Sequence, residues 1–511
     1  MNNVDQLGEE PAPETQHINP DEHGRRKPTL LVALIPIFAM MIFLGVGYIA
    51  FGLNAEPMII LSAAVVAVVA KFLGWTWNDM VESIAVKMKK TWPAILILIC
   101  VGLLIGAWMA GGTIPMMIYW GLRIISPQFI GLTALLVTSI VALATGTSWG
   151  AAGTVGVAFM GVAIGMDANL ASVAGAVVAG AYFGDKMSPL SDTTNLASMI
   201  TRVNLYEHIA NLLWTTLPAY IISALAFLFV GLNNEGSGEI SSESIDGMLT
   251  SLSSGFDFNL LVVLPVIVVF AGSLLRMPTI PVMLSAAALA MINAVVFQGI
   301  SLQNTVGAIV NGFNLEMIER AGFDAVSGGE DLATLLNRGG MNSMMGTLLI
   351  AFCAIAFAGI IDLTGSLQVM VEKLLAGVKN IFGLVGATIV TCLTTIGVTC
   401  NGQISIILPG EIFRPEYIKR GVHPKVLGRT IEDAASVIEP ILPWTAAGAY
   451  MAGTLGVATL DYLPWAVQNW AGVLVAIVLA ATGMGITRLT AETSAEEGGV
   501  ENAGGPSATM A

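Results

Sequence analysis

The stretch GAYFGDKMSPLSDTT, Gly180 to Thr194, gathers two carboxylates (Asp185, Asp192), one lysine (Lys186) and the hydroxyls of Ser188, Ser191, Thr193 and Thr194 around Pro189. Proline lacks the N–H and clashes with the preceding turn, so a helix is not expected to run smoothly through Gly184 and Pro189. Unwinding there frees backbone carbonyls. Carboxylate, hydroxyl and carbonyl oxygens together are a hard-cation ligand set, and Na+ accepts the same donors. Asp185 and Asp192 are the expected Na+ ligands, with Ser188 and Thr193 beside them. A carboxylate taken out of water favours its neutral form, so such a group could trade a proton for Na+. The plainer reading is a cytoplasmic loop with a few turn residues. Lys186 either pairs with a neighbouring acid or snorkels at the membrane edge.

A second acid-bearing segment, RTIEDAASVIEPILPW (429–444), holds Glu432, Asp433 and Glu439, with Pro440 and Pro443 interrupting it. Glu432 and Asp433 follow Arg429 closely and also read as a helix start at the cytoplasmic surface. Glu439 lies deeper in the apolar direction, where an ionisable group is a functional candidate. Two further polar breaks carry no acid. GTSWGAAGTVG (146–156), preceded by Thr145, and TCNGQ (399–403) offer Thr145, Thr147, Ser148, Thr154, Thr399, Asn401 and Gln403 as neutral oxygen donors. Close helix packing alone would explain the glycines of 146–156. His208 beside Glu207 reads as a surface-facing capping pair at a helix start, with pH sensing as the alternative.

The elements that must position these groups are membrane helices. The chain is 55% hydrophobic and 11% charged, against about 25% charged residues in a soluble domain. Leu30 to Phe51, Ala94 to Leu122 and Ile124 to Met166 contain no charged residue. At about 20 residues per crossing the chain has room for roughly ten to twelve helices. The net charge of −14 is concentrated outside these runs, with six acids in Met1 to Pro28 and five in Asn233 to Asp257. The low pI therefore says little about partners, and nothing points to nucleic acid. A cleaved signal peptide is not expected, because the first apolar run is too long for a signal h-region.

Lys and Arg mark the cytoplasmic side. Arg25, Arg26 and Lys27 place the N-terminus inside, as do Lys71, Lys87, Lys89 and Lys90 for the loop after the second span. Arg276 and the basic run Arg414, Lys419, Arg420, Lys425 and Arg429 also belong inside, and Arg488 closes the last span there. The acidic segments 233–257 and 311–339 fit outside. Both termini are then cytoplasmic in the inner membrane, with an even number of crossings, best taken as twelve. Segments 112–127 and 363–380 are each open as a short span, a re-entrant piece or an interfacial helix. Residues 129–203 and 382–457 share one order: apolar run, polar break, apolar run, acidic proline-containing break. Broken apolar segments at corresponding places in two halves point to a secondary transporter. The chain divides into a polar tail (1–28), a first transmembrane repeat (29–232), an acidic external loop (233–258), a second repeat (259–487) and an acidic tail (488–511).

Several classes are disfavoured. Cys100, Cys353, Cys392 and Cys400 show no CxxC spacing, and the four histidines form no cluster, so neither disulfides nor zinc is suggested. No phosphate loop occurs, which argues against an ATP-driven pump. No cofactor or enzymatic chemistry is expected beyond Na+ and H+ as transported or coupling ions. A sensor or scaffold would leave two buried acidic breaks as an unexplained cost. A homodimer is left open.

GTSWGAAGTVG, AGAYFGDKMSPLSDTTNLAS and LYEHIANLLWTTLPAYII resemble one signature of the NhaC-type sodium/proton antiporter family. ILPGEIF, YIKRGVHPKVLGRTIEDAAS and PILPWTAAGAYMAGTLGV resemble the other. The likeness spans roughly residues 30–487. It implies an all-α polytopic membrane protein of about 12 transmembrane helices in two inverted repeats with broken or re-entrant helices. It also implies a Na+-coupled secondary transporter, in a family that includes malate/lactate antiporters and relatives for amino acids. Threonine is common in the family where this chain has Ala151. An acid and a tyrosine are common at Asn401 and Gln403, and a small hydroxyl residue at Glu439. One reading is that the acid has moved from one break to the other. Altered coupling or a different substrate fits equally well. On the leading reading Asp185, Asp192 and Asp433 alternate between proton and Na+, with Thr145, Ser148, Ser188 and Thr193 completing the shell and Glu439 and Asn401 as further candidates. On the alternative, Na+ drives a small organic solute, for which Lys186 and Arg202 are candidate cations and Asn401 and Gln403 candidate polar partners.

Overall fold

The computed structural model describes residues 25–233, 242–275, 277–320, 323 and 329–489. The polar N-terminal tail to residue 24, Arg276 and most of the C-terminal tail lie outside them. Among the described residues there is no β-strand, only one isolated bridge between Val422 and Arg488. Among the described residues nine helices are long and apolar enough to cross a membrane, or ten if the pair bent by 98° between Asp246–Gly255 and Leu260–Gly272 is one span. The helices Leu170–Met187 and Gly402–Lys419 are each 18 residues long but carry the polar groups of the breaks. Counting them, and the 16-residue apolar helix Val467–Thr482, brings the number to about a dozen. Thr113–Ile124 and Ser366–Ala376 have 12 and 11 residues. At 1.5 Å per residue neither crosses a core of about 30 Å, so the two undecided segments are short helices.

Two units of matching element order build the centre. The first is α1 (Ile130–Thr145), α2 (Ser148–Gly165), α3 (Leu170–Met187) and α4 (Asp192–Thr201). A long helix, α5 (Leu205–Asn233), follows. The second unit is α6 (Ile381–Thr399), α7 (Gly402–Lys419), α8 (Pro424–Ile431, continued by the π-helical turn Glu432–Ser436) and α9 (Ala446–Leu455), followed by α10 (Val467–Thr482).

The α1–α3 contact is built on small residues. Gly180 and Gly184 lie one turn apart on α3, and a Cβ at either would collide with the backbone or side chains of Leu135 to Leu143. This small-xxx-small spacing lets two backbones approach closely. It also corrects one expectation: α3 runs through Gly184, and the chain leaves the helix only at Ser188-Pro189. The acidic segment after α5 differs too. Ser242–Gly255 is helical, and Met248, Leu252 and Phe256 are buried against the body.

Candidate functional site

The two units break in the same way. After α1, Gly146 turns left-handed (φ 70°), and after α6, Cys400 does so (φ 55°). Thr147 then caps α2, its Oγ1 accepting from Gly150 N at 3.2 Å. Asn401 caps α7, its Oδ1 accepting from Ile404 N at 3.1 Å. In the second arm of each unit Ser191 caps α4 and Thr445 caps α9. The side-chain oxygens satisfy N–H groups that an interrupted helix leaves orphaned, which hydrocarbon would not do.

The carboxylates follow the same correspondence. Asp185 and Glu439 stand at the same step before Ser188-Pro189 and Leu442-Pro443. Asp185 Oδ2 accepts from Ser148 Oγ at 2.7 Å and Ser148 N at 3.2 Å. Glu439 Oε2 lies so close to Gly402 that a Cβ there would collide with it, and the Gly402 and Ala447 amides face it. Each acid thus sits at the start of a half-helix, where the free N–H groups and the helix dipole favour a negative charge.

Both breaks open into one cavity of about 650 Å³. Of the residues singled out from sequence, it is lined by Asp185, Asp192, Glu439, Thr145, Thr147, Ser148, Thr154, Thr193, Asn401 and Gln403. Asp192 is exposed there, while Asp185, Thr193, Asn401 and Glu439 are half-buried. Thr145 Oγ1 bonds its own helix at Val141 O, 2.8 Å away.

Two candidates are elsewhere. Ser188 is fully buried, and its Oγ accepts from Leu190 N at 3.2 Å, holding the turn. Asp433 is fully buried and ion-paired with Lys186, which is 2% exposed. That pair joins the two units away from the cavity: Lys186 neither snorkels nor pairs with an acid of its own segment, but with one 247 residues further along the chain. Glu432 and Asp433 are both at 0% exposure, so they do not start a helix at the surface. His208 is also at 0%; only its neighbour Glu207 lies at the surface, 2.8 Å from Lys425 Nζ. Buried groups of this kind leave no sequence signal, because burial depends on partners from distant helices.

Sequence reasoning missed other parts of the cavity. Lys90 lines it from the helix Trp77–Ala110. Trp149 and Tyr450 stack across it, ring centroids 4.2 Å apart, and Tyr450 OH donates to Trp149 O at 2.6 Å. A Cβ at Gly153 would stand 2.7 Å from that hydroxyl, so this glycine makes room for the link between units. The signal was the glycine-rich run itself, legible as packing but not as packing against Tyr450. Among the described residues no group of three or more His, Cys, Asp or Glu forms a transition-metal-type cluster. The carboxylate, hydroxyl and amide oxygens of the cavity are suited to hard monovalent cations and protons.

The comparisons agree with this architecture. The Na+/H+ antiporter family matches residues 180–484. An "Uncharacterized Na(+)/H(+) antiporter" of Haemophilus influenzae is 56% identical over 91% of this chain and 99% of its own length. A "Na(+)/H(+) antiporter NhaC" of Alkalihalophilus pseudofirmus is 36% identical over 85% of this chain and 92% of its own. A "Malate-2H(+)/Na(+)-lactate antiporter" of Bacillus subtilis is 34% identical over 88% of this chain and 96% of its own. Two broken four-helix units closing on a carboxylate-lined cavity, in a sequence with these relatives, make the chain a multi-pass membrane protein of the Na+/H+ antiporter family.

Proposed function

We propose that this protein exchanges Na+ for H+ across the cytoplasmic membrane, with both termini on the cytoplasmic side. One observation carries the reading. Asp185 and Glu439, at equivalent places in the two units, face a single cavity and are each held at the start of a half-helix. Asp185, Asp192 and Glu439 would each be able to hold either a proton or Na+. Ser148, Thr193, Thr145 and Asn401 would supply neutral oxygens to the bound cation. Competition of the two ions for one set of carboxylates is enough for exchange, provided the cavity opens to each side in turn. Two units joined by the Trp149–Tyr450 stack and the Lys186–Asp433 pair are suited to rocking against one another.

A second reading has its own support. A cavity of about 650 Å³ is far larger than a dehydrated Na+ and falls in the range of small-molecule sites. Lys90 supplies a cation for a carboxylated solute, and the Trp149–Tyr450 pair an apolar face. The malate/lactate relative favours the same idea. Everted membrane vesicles decide between the two. With an acid interior established by respiration, adding NaCl alone should alkalinise the interior, and vector controls should not respond. A response that appears only with Na+ plus lactate, malate or an amino acid would replace the first reading with the second.

A further inference from the structure

The π-helical turn Glu432–Ser436 presents consecutive acids to two different neighbours. Asp433 meets Lys186 on α3 and is neutralised there. Glu432 turns toward α5, where His208 Nε2 lies 4.0 Å from its Oε1. Both residues are at 0% exposure, and among the described residues neither His208 nitrogen nor either Glu432 oxygen has a hydrogen-bond partner. Leaving such groups unpaired is expensive, and π-turns concentrate at functional sites. The pocket for the ring is built: a Cβ at Gly428 would stand 2.8 Å from His208 Cε1 and 2.9 Å from Nδ1.

Glu207 precedes His208 on α5, is 44% exposed, and contacts Lys425 at 2.8 Å and His423 at 3.8 Å at the surface. Inward, Glu432 is within electrostatic reach of Asp185. Ser436, one turn further along, lines the cavity with an Oγ that has no partner among the described residues. Of the other charges nearby, Arg414 Nε donates to Thr201 O, and Arg429 donates to Gly485 O through Nη1 while its buried Nε has no partner among the described residues.

We propose that His208 and Glu432 form a proton relay linking the Glu207–His423–Lys425 surface cluster to Asp185 in the cavity. The inference rests on the Na+/H+ reading above. A proton taken up at one imidazole nitrogen releases the proton on the other, Nε2, to Glu432 Oε1. Glu432 passes it inward by way of the Ser436 hydroxyl to Asp185 as Na+ departs, and the imidazole returns to neutral. No electrons move. The 4.0 Å separation is about 1 Å longer than a hydrogen bond, a gap of the kind that closes in the working state. The relay keeps the proton's route apart from the cation's, since Na+ reaches the same carboxylates through the open cavity.

The test uses the full chain in proteoliposomes with two readouts. One is Na+-driven proton movement reported by a pH dye. The other is ²²Na+/Na+ exchange without a pH gradient, which needs no proton. H208Q and E432Q should lose proton-coupled exchange by about 10²-fold, the scale of a lost proton-transfer group, and keep ²²Na+/Na+ exchange. Imidazole added to H208A should restore the coupled rate. Variants with wild-type coupled rates would overturn the relay. So would a parallel loss of both readouts with no imidazole rescue, which marks a packing role. If the wild type shows neither readout, the Na+/H+ reading beneath it fails first.

Discussion

The two helix breaks solve one problem with different residues. In the first, glycine takes the left-handed turn, a serine hydroxyl opens the half-helix and an aspartate bonds that hydroxyl and its amide. In the second, a cysteine takes the turn, glycine opens the half-helix and a glutamate reaches it. The longer acid is paired with the smaller residue. Glu439 has one methylene more than Asp185, and Gly402 gives back the space that Ser148 fills with its side chain. The sum is conserved while each part changes, so a carboxylate at each half-helix start is what the architecture needs.

This comparison can be broken. The largest effect is expected from D185N, which removes the charge but keeps the hydrogen-bonding shape. Losing a charged partner is worth about 3 kcal/mol, or about 10²-fold in Na+ affinity, so Na+-dependent alkalinisation of vesicles should fall to the vector level with normal insertion. Wild-type exchange in D185N would remove Asp185 from the site.

A sharper version exchanges the size relation in the second break. G402A places a methyl against Glu439 Oε2, and overpacking of this kind costs about 1–3 kcal/mol. Exchange should drop in G402A and recover in part in the G402A/E439D double variant, whose shorter acid vacates the space. The sign of that double-mutant coupling is the check; additive losses would mean that the two positions do not share room.

The smallest effect concerns the turns. A non-glycine residue in the left-handed region costs about 1–2 kcal/mol, against about 0.5–1 kcal/mol of extra chain entropy for glycine. C400G relieves that strain but empties the space of a buried thiol, so its Tm in detergent should stay near the wild-type value. G146A should lower Tm, because φ is 70° there and a Cβ would lie 2.7 Å from the Leu190 carbonyl carbon. Equal Tm values for the two would show the breaks to be less distinct than their residues are.

Much of this was legible in the sequence. Prolines and acids inside apolar runs marked the breaks at Ser188-Pro189 and Glu439-Pro440, and Thr147, Asn401, Ser191 and Thr445 are the residue types that cap interrupted helices. Gly184 was misread as part of the break, since glycine signals either a turn or a close approach and only the facing helix α1 tells which. Asp433 looked like the equal of Asp185, yet it pairs with Lys186 outside the cavity, and the surface pair expected at Glu207 and His208 is split, one residue exposed and the other buried.

The sequence by itself determined the solvent of each segment. Hydropathy decides that these runs enter a bilayer, and an acid or proline among them needs a protein or water-lined place whatever the fold. Which of those acids share a space was decided by tertiary structure alone. A π-turn adds a residue to the helical count and rotates everything beyond it by about 100°. Glu432 and Asp433 point to different helices because neighbours on any helix diverge by about 100°, and the π-turn sets the phase at which Ser436, at its far end, reaches the cavity. The direction in which a buried side chain points depends on that phase and on the helices packed against it, and neither is local to the chain.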